Sequence, residues 1–277
     1  MSNTDCLTYV MGSTEHERRR LFLQGSILNP LTEDFLKTAG ISAGMRVLDL
    51  GCGVGDVSLL VARLVGPDGS VTGLDRDDAA LETAQARARE GNLPQVLFEQ
   101  TAFEDYQSKC HYDAIVGRHV LIHAPDPLAW IQKSASLLRP GGIAAFQEYD
   151  LSYFPSAEPE LPLFHECSEY LVALFRRVAA HADTGNRLYH WLHRAGLSPT
   201  HCQAVCLMSG GSDSPFYEWF AETVRSVAPH LEQLGIVSAT DLGLDTLANR
   251  LRDEAVTHGG PLATPLIVNC AGRSKKD

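Results

Sequence analysis

The chain has 277 residues, of which 44% are hydrophobic, 21% charged and 8% aromatic, a composition typical of a folded globular protein. Its 34 acidic residues outnumber its 23 basic ones, and the net charge of −11 disfavours a nucleic-acid partner because most of the surface would repel phosphate. The longest uncharged stretches contain Gly, Ser or Pro and are too short to cross a bilayer, so we expect no membrane partner.

The seven cysteines are scattered and never form a Cys-x-x-Cys pair, which is typical of a reducing compartment. The first residues also lack the basic and apolar regions of a signal peptide. We therefore expect a cytoplasmic protein. No metal site is predicted, because His190 and His193, three residues apart, have no third ligand at a suitable spacing.

The first half of the chain alternates helices with short apolar strands. Residues 13–39 have helical spacing, which Pro30 is expected to break into two short helices. The predicted strands are 45–50, 70–74, 95–98, 112–117 and 143–147, and the predicted helices between them are 56–65, 77–90 and 127–138. This alternation predicts βαβ units and a parallel sheet covered on both faces.

The second half is mainly helical. Helices are expected at 151–182, 186–195, 215–234 and 240–257, and strands at 201–208 and 265–271. Insertions there would lie at the carboxyl ends of the strands, where open α/β sheets bind ligands. We predict an α/β, Rossmann-like, doubly wound fold with a mostly parallel seven-stranded sheet and helical lid insertions. Residues 1–40 would form a helical lid segment, 41–150 the ligand-binding core, and 151–277 helical cap insertions plus the last strands of the same domain.

A glycine-rich turn follows the first predicted strand. Gly51, Gly53 and Gly55 can adopt positive φ and allow a ligand close to the backbone. A dinucleotide-binding turn would need its third glycine at position 56, where Asp56 would instead face a pyrophosphate. The spacing therefore favours a cationic, amino-acid-like ligand over a nicotinamide cofactor. The alternative is a tight turn that binds nothing.

An acidic residue ends the next strand. Asp75 follows Gly55 by 20 residues, a distance at which a carboxylate can accept hydrogen bonds from both hydroxyls of a ribose. The alternative role of Asp75 is to cap the helix that begins near Asp77.

These two motifs together resemble those of the class I S-adenosylmethionine-dependent methyltransferases. The resemblance extends at least from Leu36 to Asp150 and includes the segments 72–75, 112–116 and 137–142. It implies S-adenosyl-L-methionine as the cofactor. By resemblance, Asp49 and Gly51 would contact its methionine end, Gly53 and Gly55 would let it approach, and Asp75 would hold the ribose.

The resemblance implies further cofactor contacts. Ala102 stands nearest the position where many relatives carry an adenine-binding Asp, so we expect the backbone amide and ring of Phe103 to contact adenine. An N-terminal helix of the small-molecule branch would close over the cofactor. The residues expected at the cofactor's methionine part or beside its ribose are Tyr9, Arg20, Gln24, Arg76, Arg118 and His119. For Arg20 and Arg118, the alternative is a surface ion pair.

Methyl transfer requires an aligned acceptor and, for some acceptors, a base that removes its proton. The candidates that follow the fourth and fifth strands are His119, His123, Glu148 and Asp150. Histidine titrates near neutrality and suits the deprotonation of a phenol or enol. The alternatives are a helix-capping role for His123, near Asp126, and for Asp150, before the lid helices.

We therefore predict methyl transfer to an oxygen atom, or less readily a nitrogen or carbon atom, of a small organic acceptor such as an intermediate of secondary metabolism. A protein or RNA methyltransferase and a non-methylating S-adenosylmethionine-binding cyclase or regulator are the alternatives. The sequence leaves open whether the chain forms a homodimer.

Overall fold

The computed structural model describes residues 15–108, 110–152, 154–155, 158–178 and 181–276. The helices are α1 Glu15–Ala39, α2 Asp56–Val65, α3 Asp78–Glu90, α4 Pro127–Leu137, α5 Pro162–Val178, α6 Thr184–Arg194, α7 Phe216–Gln233, α8 Ala239–Leu242 and α9 Leu247–His258. The strands are β1 Arg46–Leu50, β2 Ser70–Asp75, β3 Val96–Gln100, β4 Tyr112–Arg118, β5 Leu138–Asp150, β6 Ser198–Val205, β7 Met208–Ser209, β8 Leu262–Ala263 and β9 Leu266–Arg273. A 3₁₀ turn covers Leu121–His123.

Seven of these strands form one sheet in the order β3-β2-β1-β4-β5-β9-β6. The pairs β1–β2, β1–β4, β2–β3 and β4–β5 are parallel, whereas β6 and β9 are antiparallel. The predicted α/β fold with a mostly parallel seven-stranded sheet is therefore confirmed. Strands β7 and β8 form a separate two-stranded antiparallel sheet.

Both faces of the central strand β1 are buried, which explains the apolar residues Val47, Leu48 and Leu50 in it. Val47 belongs to one hydrophobic cluster, with Val57 and Val61 of α2. Leu48 belongs to the other cluster, with Ile115 of β4. Because successive side chains of a strand point to opposite faces, a strand of a parallel sheet covered on both faces needs apolar residues on both of its faces.

The chain divides into two compact units. The sheet unit consists of Gly25–Tyr149, Thr184–Val205 and Ile267–Asp277, and the helical unit consists of Met1–Gln24, Asp150–Asp183 and Cys206–Leu266. The three segments expected from the sequence (1–40, 41–150 and 151–277) stay a prediction. None of the helices in the described part of the chain is long and apolar enough to span a membrane.

Two predicted helix boundaries are wrong. Helix α1 is unbroken although Pro30 lies inside it. A proline removes one backbone hydrogen bond, and burial of Leu28 and Phe35 on either side offsets that loss. The helix expected at 240–257 is instead two helices, because Gly243 ends α8 with a φ of 57° in the left-handed region.

Two further predicted elements have different lengths. The fifth strand is longer than expected, covering Leu138–Asp150 and including Gly141 and Gly142. The helix expected from residue 151 begins only at Pro162. Proline is favoured in the first turn of a helix because its missing N–H would have no partner there.

Candidate functional site

The glycine turn, Gly51–Gly55, joins β1 to α2. Its three glycines have φ of 61° (Gly51), 50° (Gly53) and 87° (Gly55). Residues with a side chain rarely adopt such positive φ angles. A Cβ at Gly53 would have no atom within 4 Å, whereas one at Gly51 would lie 2.5 Å from Val120 Cγ2. The turn thus packs against Val120 at one glycine and leaves open space beside another.

Asp75 is hydrogen-bonded to the glycine turn. Its Oδ2 accepts a hydrogen bond of 2.7 Å from the Gly53 N–H, and its Oδ1 accepts one of 3.0 Å from the Asp77 N–H. The alternative, that Asp75 caps α3, is wrong because Asp77 accepts the hydrogen bonds from Ala79 and Ala80. The end of β2 and the glycine turn are therefore joined, as a shared binding site requires.

Asp49 is a buried carboxyl near the end of β1. It is 1% exposed, and burial raises its pKa to about 7, although the hydrogen bond from Ser58 and the charge of Arg118 oppose this shift. The Ser58 hydroxyl donates to Asp49 Oδ2 at 2.6 Å. Ser58 was not predicted as a site residue from the sequence. A hydroxyl residue within the largely apolar helix α2 could have indicated that Ser58 has a buried polar partner.

Arg118 forms buried contacts in the sheet unit. Its side chain is 6% exposed, and its Nη1 donates to Asn29 Oδ1 at 2.9 Å and to Thr32 Oγ1 at 3.1 Å. Its Nη2 lies 3.7 Å from Asp56 Oδ2, and Arg87 Nη2 donates to Asp56 Oδ1 at 2.7 Å. The ion pair of Arg118 is therefore buried, not a surface pair, and its expected contact with the cofactor stays a prediction.

The residues expected near adenine and the ribose follow β3 and β2. Phe103 is 4% exposed, and its ring meets that of Trp130 edge-on at a centroid distance of 5.2 Å. The neighbouring Ala102 is partly exposed. Arg76, just after Asp75, donates to Glu104 Oε2 at 2.7 Å in an exposed ion pair. The contacts of these residues with the cofactor stay predictions.

Two candidate bases lie in the segment after β4. His119 has a φ of 53°, and its ring stacks on Tyr149 with a centroid distance of 3.8 Å and an interplanar angle of 16°. His123 ends the 3₁₀ turn. The alternative that His123 caps α4 is wrong, because Asp126 accepts the capping hydrogen bond from Ala129. The contact between Tyr149 and His119 was not predicted from the sequence.

Glu148 is the third candidate in the sheet unit. It is fully buried, and its Oε1 accepts hydrogen bonds of 2.9 Å from the backbone N–H groups of both Val120 and Leu121. Burial raises the pKa of this carboxyl to about 8, because three backbone N–H groups only partly offset the loss of solvation.

Arg20 and Gln24 lie in the helical unit. Arg20 forms a bidentate pair with Glu17, at 2.8 Å from Nε and 2.6 Å from Nη2, and its Nη1 donates to Gln24 Oε1 at 2.8 Å. Ser226 of α7 also donates to Glu17, at 2.9 Å. The Arg20–Glu17 pair is buried, so the alternative that Arg20 forms a surface ion pair is wrong. Tyr9 lies outside the described residues. Their expected contacts with the cofactor stay predictions.

Asp150, the fourth candidate base, is also in the helical unit. It is 3% exposed, and its Oδ1 accepts hydrogen bonds from the N–H and the hydroxyl of Ser152. The N-terminus of α5 is capped by Glu254, which accepts from Leu163 at 2.8 Å and Phe164 at 3.2 Å. Asp150 therefore stabilises a local turn. The alternative that it caps α5 is wrong, because Glu254 accepts those hydrogen bonds.

The sheet unit thus contains most of the predicted site. Its predicted members are Asp49, Gly51, Gly53, Gly55, Asp75, Arg76, Ala102, Phe103, Arg118, His119, His123 and Glu148. Arg20, Gln24 and Asp150 belong to the helical unit. Within the described ranges, no group of three or more His, Cys, Asp or Glu side chains is arranged to hold a metal ion.

A methyltransferase-domain family model matches residues 41–196. A ubiquinone biosynthesis O-methyltransferase of Actinobacillus pleuropneumoniae is 34% identical over 169 residues, which cover 52% of this chain and 70% of that protein. The solved structure of the [4+2]-cyclase SpnF is 20% identical, with a TM-score of 0.57 over 90% of this chain and 82% of its own. Coclaurine N-methyltransferase, solved with N-methylheliamine and S-adenosylhomocysteine, is 16% identical, with a TM-score of 0.52 over 88% of this chain and 72% of its own.

The sequence match and the fold agree with the site geometry. The matched region contains the glycine turn, Asp49, Asp75 and the segment after β4. The chain belongs to the class I S-adenosylmethionine-dependent methyltransferase family, and S-adenosylmethionine is its cofactor.

Proposed function

We propose that this enzyme transfers the methyl group to an oxygen atom of a small organic acceptor. The observation that carries the proposal is the position of His119, a titratable residue directly after β4 whose turn packs, through Val120, on Gly51 of the glycine turn. The O-methyltransferase relative supports the choice of oxygen. Oxygen acceptors such as phenols must lose a proton, and histidine is suited to take it near neutral pH.

The residues of the sheet unit fit the cofactor. S-adenosylmethionine supplies a positively charged sulfonium with an electrophilic methyl group. Asp49, whose pKa burial raises to about 7, would ionise more readily beside a cationic ligand, so its carboxyl suits the amino end of the methionine part. The open space beside Gly53 admits a ligand close to the backbone, and Asp75 at that turn would hold the ribose hydroxyls.

His119 would act on the acceptor. Stacking on Tyr149 fixes the plane of the imidazole, and a fixed base lowers the entropic cost of aligning it with an acceptor hydroxyl. In this role His119 would take the hydroxyl proton, so that the acceptor oxygen could bond to the methyl group that the cofactor would supply, with the bonding electrons left on the cofactor's sulfur. His123 is the second candidate base, at the end of the same segment.

The test is a methyl-transfer assay with labelled S-adenosylmethionine, offered to phenol, catechol, benzoic acid, aniline and thiophenol and, separately, to protein and RNA fractions of a cell extract. We expect transfer to a hydroxyl compound, and His119→Ala should lower kcat by roughly 100-fold or more while leaving the affinity for S-adenosylmethionine within a few fold. His123→Ala tests the second candidate base, and Glu82→Gln, at an exposed position of α3, is the control. Transfer only to protein or RNA fractions, or only to nitrogen or sulfur, would overturn the proposal.

A further inference from the structure

Strand β5 holds the segment that follows β4. The β4 turn, residues 119–121, begins with a hydrogen bond of 2.8 Å from the His119 N–H to the Gln147 carbonyl. The next two N–H groups, of Val120 and Leu121, both donate to Glu148 Oε1. Consecutive residues of β5 therefore fix consecutive residues of the turn, and one carboxyl oxygen provides two of these contacts.

The β4 turn needs such an anchor because its backbone is strained. His119 has a φ of 53°, and a non-glycine residue adopts this left-handed conformation only where its surroundings hold it. The strain lies in the residue whose ring stacks on Tyr149. Releasing the turn would therefore change the orientation of the proposed base.

The same turn also supports the cofactor-binding side of the sheet unit. Val120 lies between two glycines: an added Cβ would be 2.5 Å from its Cγ2 at Gly51 and 2.7 Å from its Cγ1 at Gly117. Val120 therefore occupies the space that a side chain at either glycine would need. The position of its backbone, which Glu148 sets, thus determines how the β4 turn packs on the glycine turn.

We propose that Glu148 is a positioning residue that anchors the β4 turn through Oε1 and thereby orients both His119 and Val120. Glu148 is wholly buried, and its Oε2 has no hydrogen-bond partner among the described residues. A carboxyl in such surroundings is held in its neutral form, and burial raises its pKa to about 8. The effect of Glu148 on kcat, through His119, rests on the function proposed above. Its effect on cofactor affinity, through Val120, requires only that the protein binds S-adenosylmethionine.

Two substitutions separate positioning from proton transfer. Glu148→Gln keeps an oxygen that can accept both N–H groups and resembles the neutral carboxyl, but it cannot act as a base. Glu148→Leu keeps a similar volume and removes the acceptor. Glu82→Gln, at an exposed position of α3, is the matched control. Three readouts apply: hydrogen exchange of the Val120 and Leu121 amides, calorimetric affinity for S-adenosylmethionine, and kcat and KM on the hydroxyl compound found by the acceptor panel.

We expect Glu148→Gln to keep the amides protected and to retain kcat within roughly threefold. Glu148→Leu should speed exchange of both amides by roughly tenfold or more, lower kcat by roughly 10- to 100-fold and weaken S-adenosylmethionine binding several fold. The proposal would be overturned if Glu148→Gln lost as much kcat as His119→Ala. It would also be overturned if Glu148→Leu left the exchange of both amides unchanged.

The readouts keep the two proposals apart. If no compound of the panel is methylated, the proposed acceptor fails, but amide exchange and cofactor affinity still test the anchor. If Glu148→Leu does not fold, Glu148→Gln decides the question alone. Protected amides with retained kcat then support positioning, and a roughly 100-fold loss of kcat with protected amides refutes it.

Discussion

Asp75 combines two roles that can be measured separately. Its carboxylate accepts the Gly53 N–H at 2.7 Å and so helps to order the glycine turn. A carboxylate that also accepts from ribose hydroxyls forms charge-assisted hydrogen bonds, which contribute more than neutral ones. The residue therefore influences both the order of the turn and the affinity for the cofactor.

Replacement of Asp75 by alanine should weaken S-adenosylmethionine binding by about 1–3 kcal/mol, because charge-assisted hydrogen bonds are lost. Isothermal titration calorimetry measures the change directly. Asp78→Ala, at an exposed position in the first turn of α3, is the control and should bind as the unchanged protein does. Equal affinity of the Asp75 variant and the unchanged protein would remove Asp75 from the binding site.

A second residue-scale prediction concerns pH. Burial raises the pKa of Glu148 to about 8 from an ordinary 4.5, so the folded protein binds a proton that the unfolded chain releases above pH 5. The free energy of unfolding should therefore fall between pH 5 and 8, by at most about 1.4 kcal/mol per pH unit from this group. Asp49, with a pKa raised to about 7, adds a slope of the same sign.

Glu148→Gln should flatten this dependence, because the amide does not titrate, while the slope from Asp49 persists. Urea unfolding at several pH values between 5 and 8 gives the two slopes, and Glu82→Gln should leave the slope unchanged. A variant profile as steep as that of the unchanged protein would mean that Glu148 ionises at its ordinary pKa in the folded state.

At the scale of elements, the connection between β1 and α2 places different demands on its glycines. An added Cβ at Gly55 would lie 3.0 Å from Ala84 Cβ and 3.3 Å from Phe98 Cζ, so the absence of a side chain lets α2 approach α3 and β3. Gly53, in contrast, has no atom within 4 Å of that position. Gly55 therefore serves packing, and Gly53 leaves room for a ligand.

Gly55→Ala should lower the free energy of unfolding by about 2–3 kcal/mol, because overpacking adds to the cost of positive φ, whereas Gly53→Ala should lower it by about 1 kcal/mol. For cofactor affinity we expect Gly53→Ala to cause a clear loss, since the methyl group occupies the open space. Urea unfolding and calorimetry on both variants give the comparison. A larger stability loss in Gly53→Ala than in Gly55→Ala would refute this division of roles.

The elements also show what the sequence could predict. Helix α2 begins and ends at the predicted residues, Asp56 and Val65, because its apolar face and the following Gly66 are local signals. The continuity of α1 across Pro30 could not be predicted, since it depends on the burial of Leu28 and Phe35 by the rest of the fold. Likewise Glu148 was predicted as a base from its position after a strand, but its contacts join residues 27 and 28 positions away.

For the whole molecule, the two compact units differ in how much of the site the sequence could identify. The glycine turn, Asp49 and Asp75 depend on short motifs in consecutive strands, and they lie in the sheet unit. The buried pair of Arg20 and Glu17 lies in the helical unit, where Ser226 completes it from a segment about 200 residues later. The spacing of three residues on one helix is compatible with the Arg20–Glu17 pair, but its burial and its contact with Ser226 depend on tertiary packing.

Cofactor binding should stabilise the folded protein as a whole, because a ligand that binds only the folded state shifts the unfolding equilibrium by mass action. At a concentration 100 times its Kd, S-adenosylmethionine should add about 2.7 kcal/mol and raise the Tm by about 5 °C or more. Differential scanning calorimetry measures the shift.

Asp75→Ala provides the internal control for this experiment. At the same S-adenosylmethionine concentration, the stabilisation of Asp75→Ala should be smaller by at least about a third. The full stabilisation should return when the concentration is raised by the same factor as the Kd. A nicotinamide dinucleotide should give no shift with either protein, because Asp56, 8% exposed between Arg87 and Arg118, occupies the position where a dinucleotide turn needs glycine. Stabilisation by the dinucleotide and not by S-adenosylmethionine would contradict the assignment of the glycine turn and Asp75 to this cofactor.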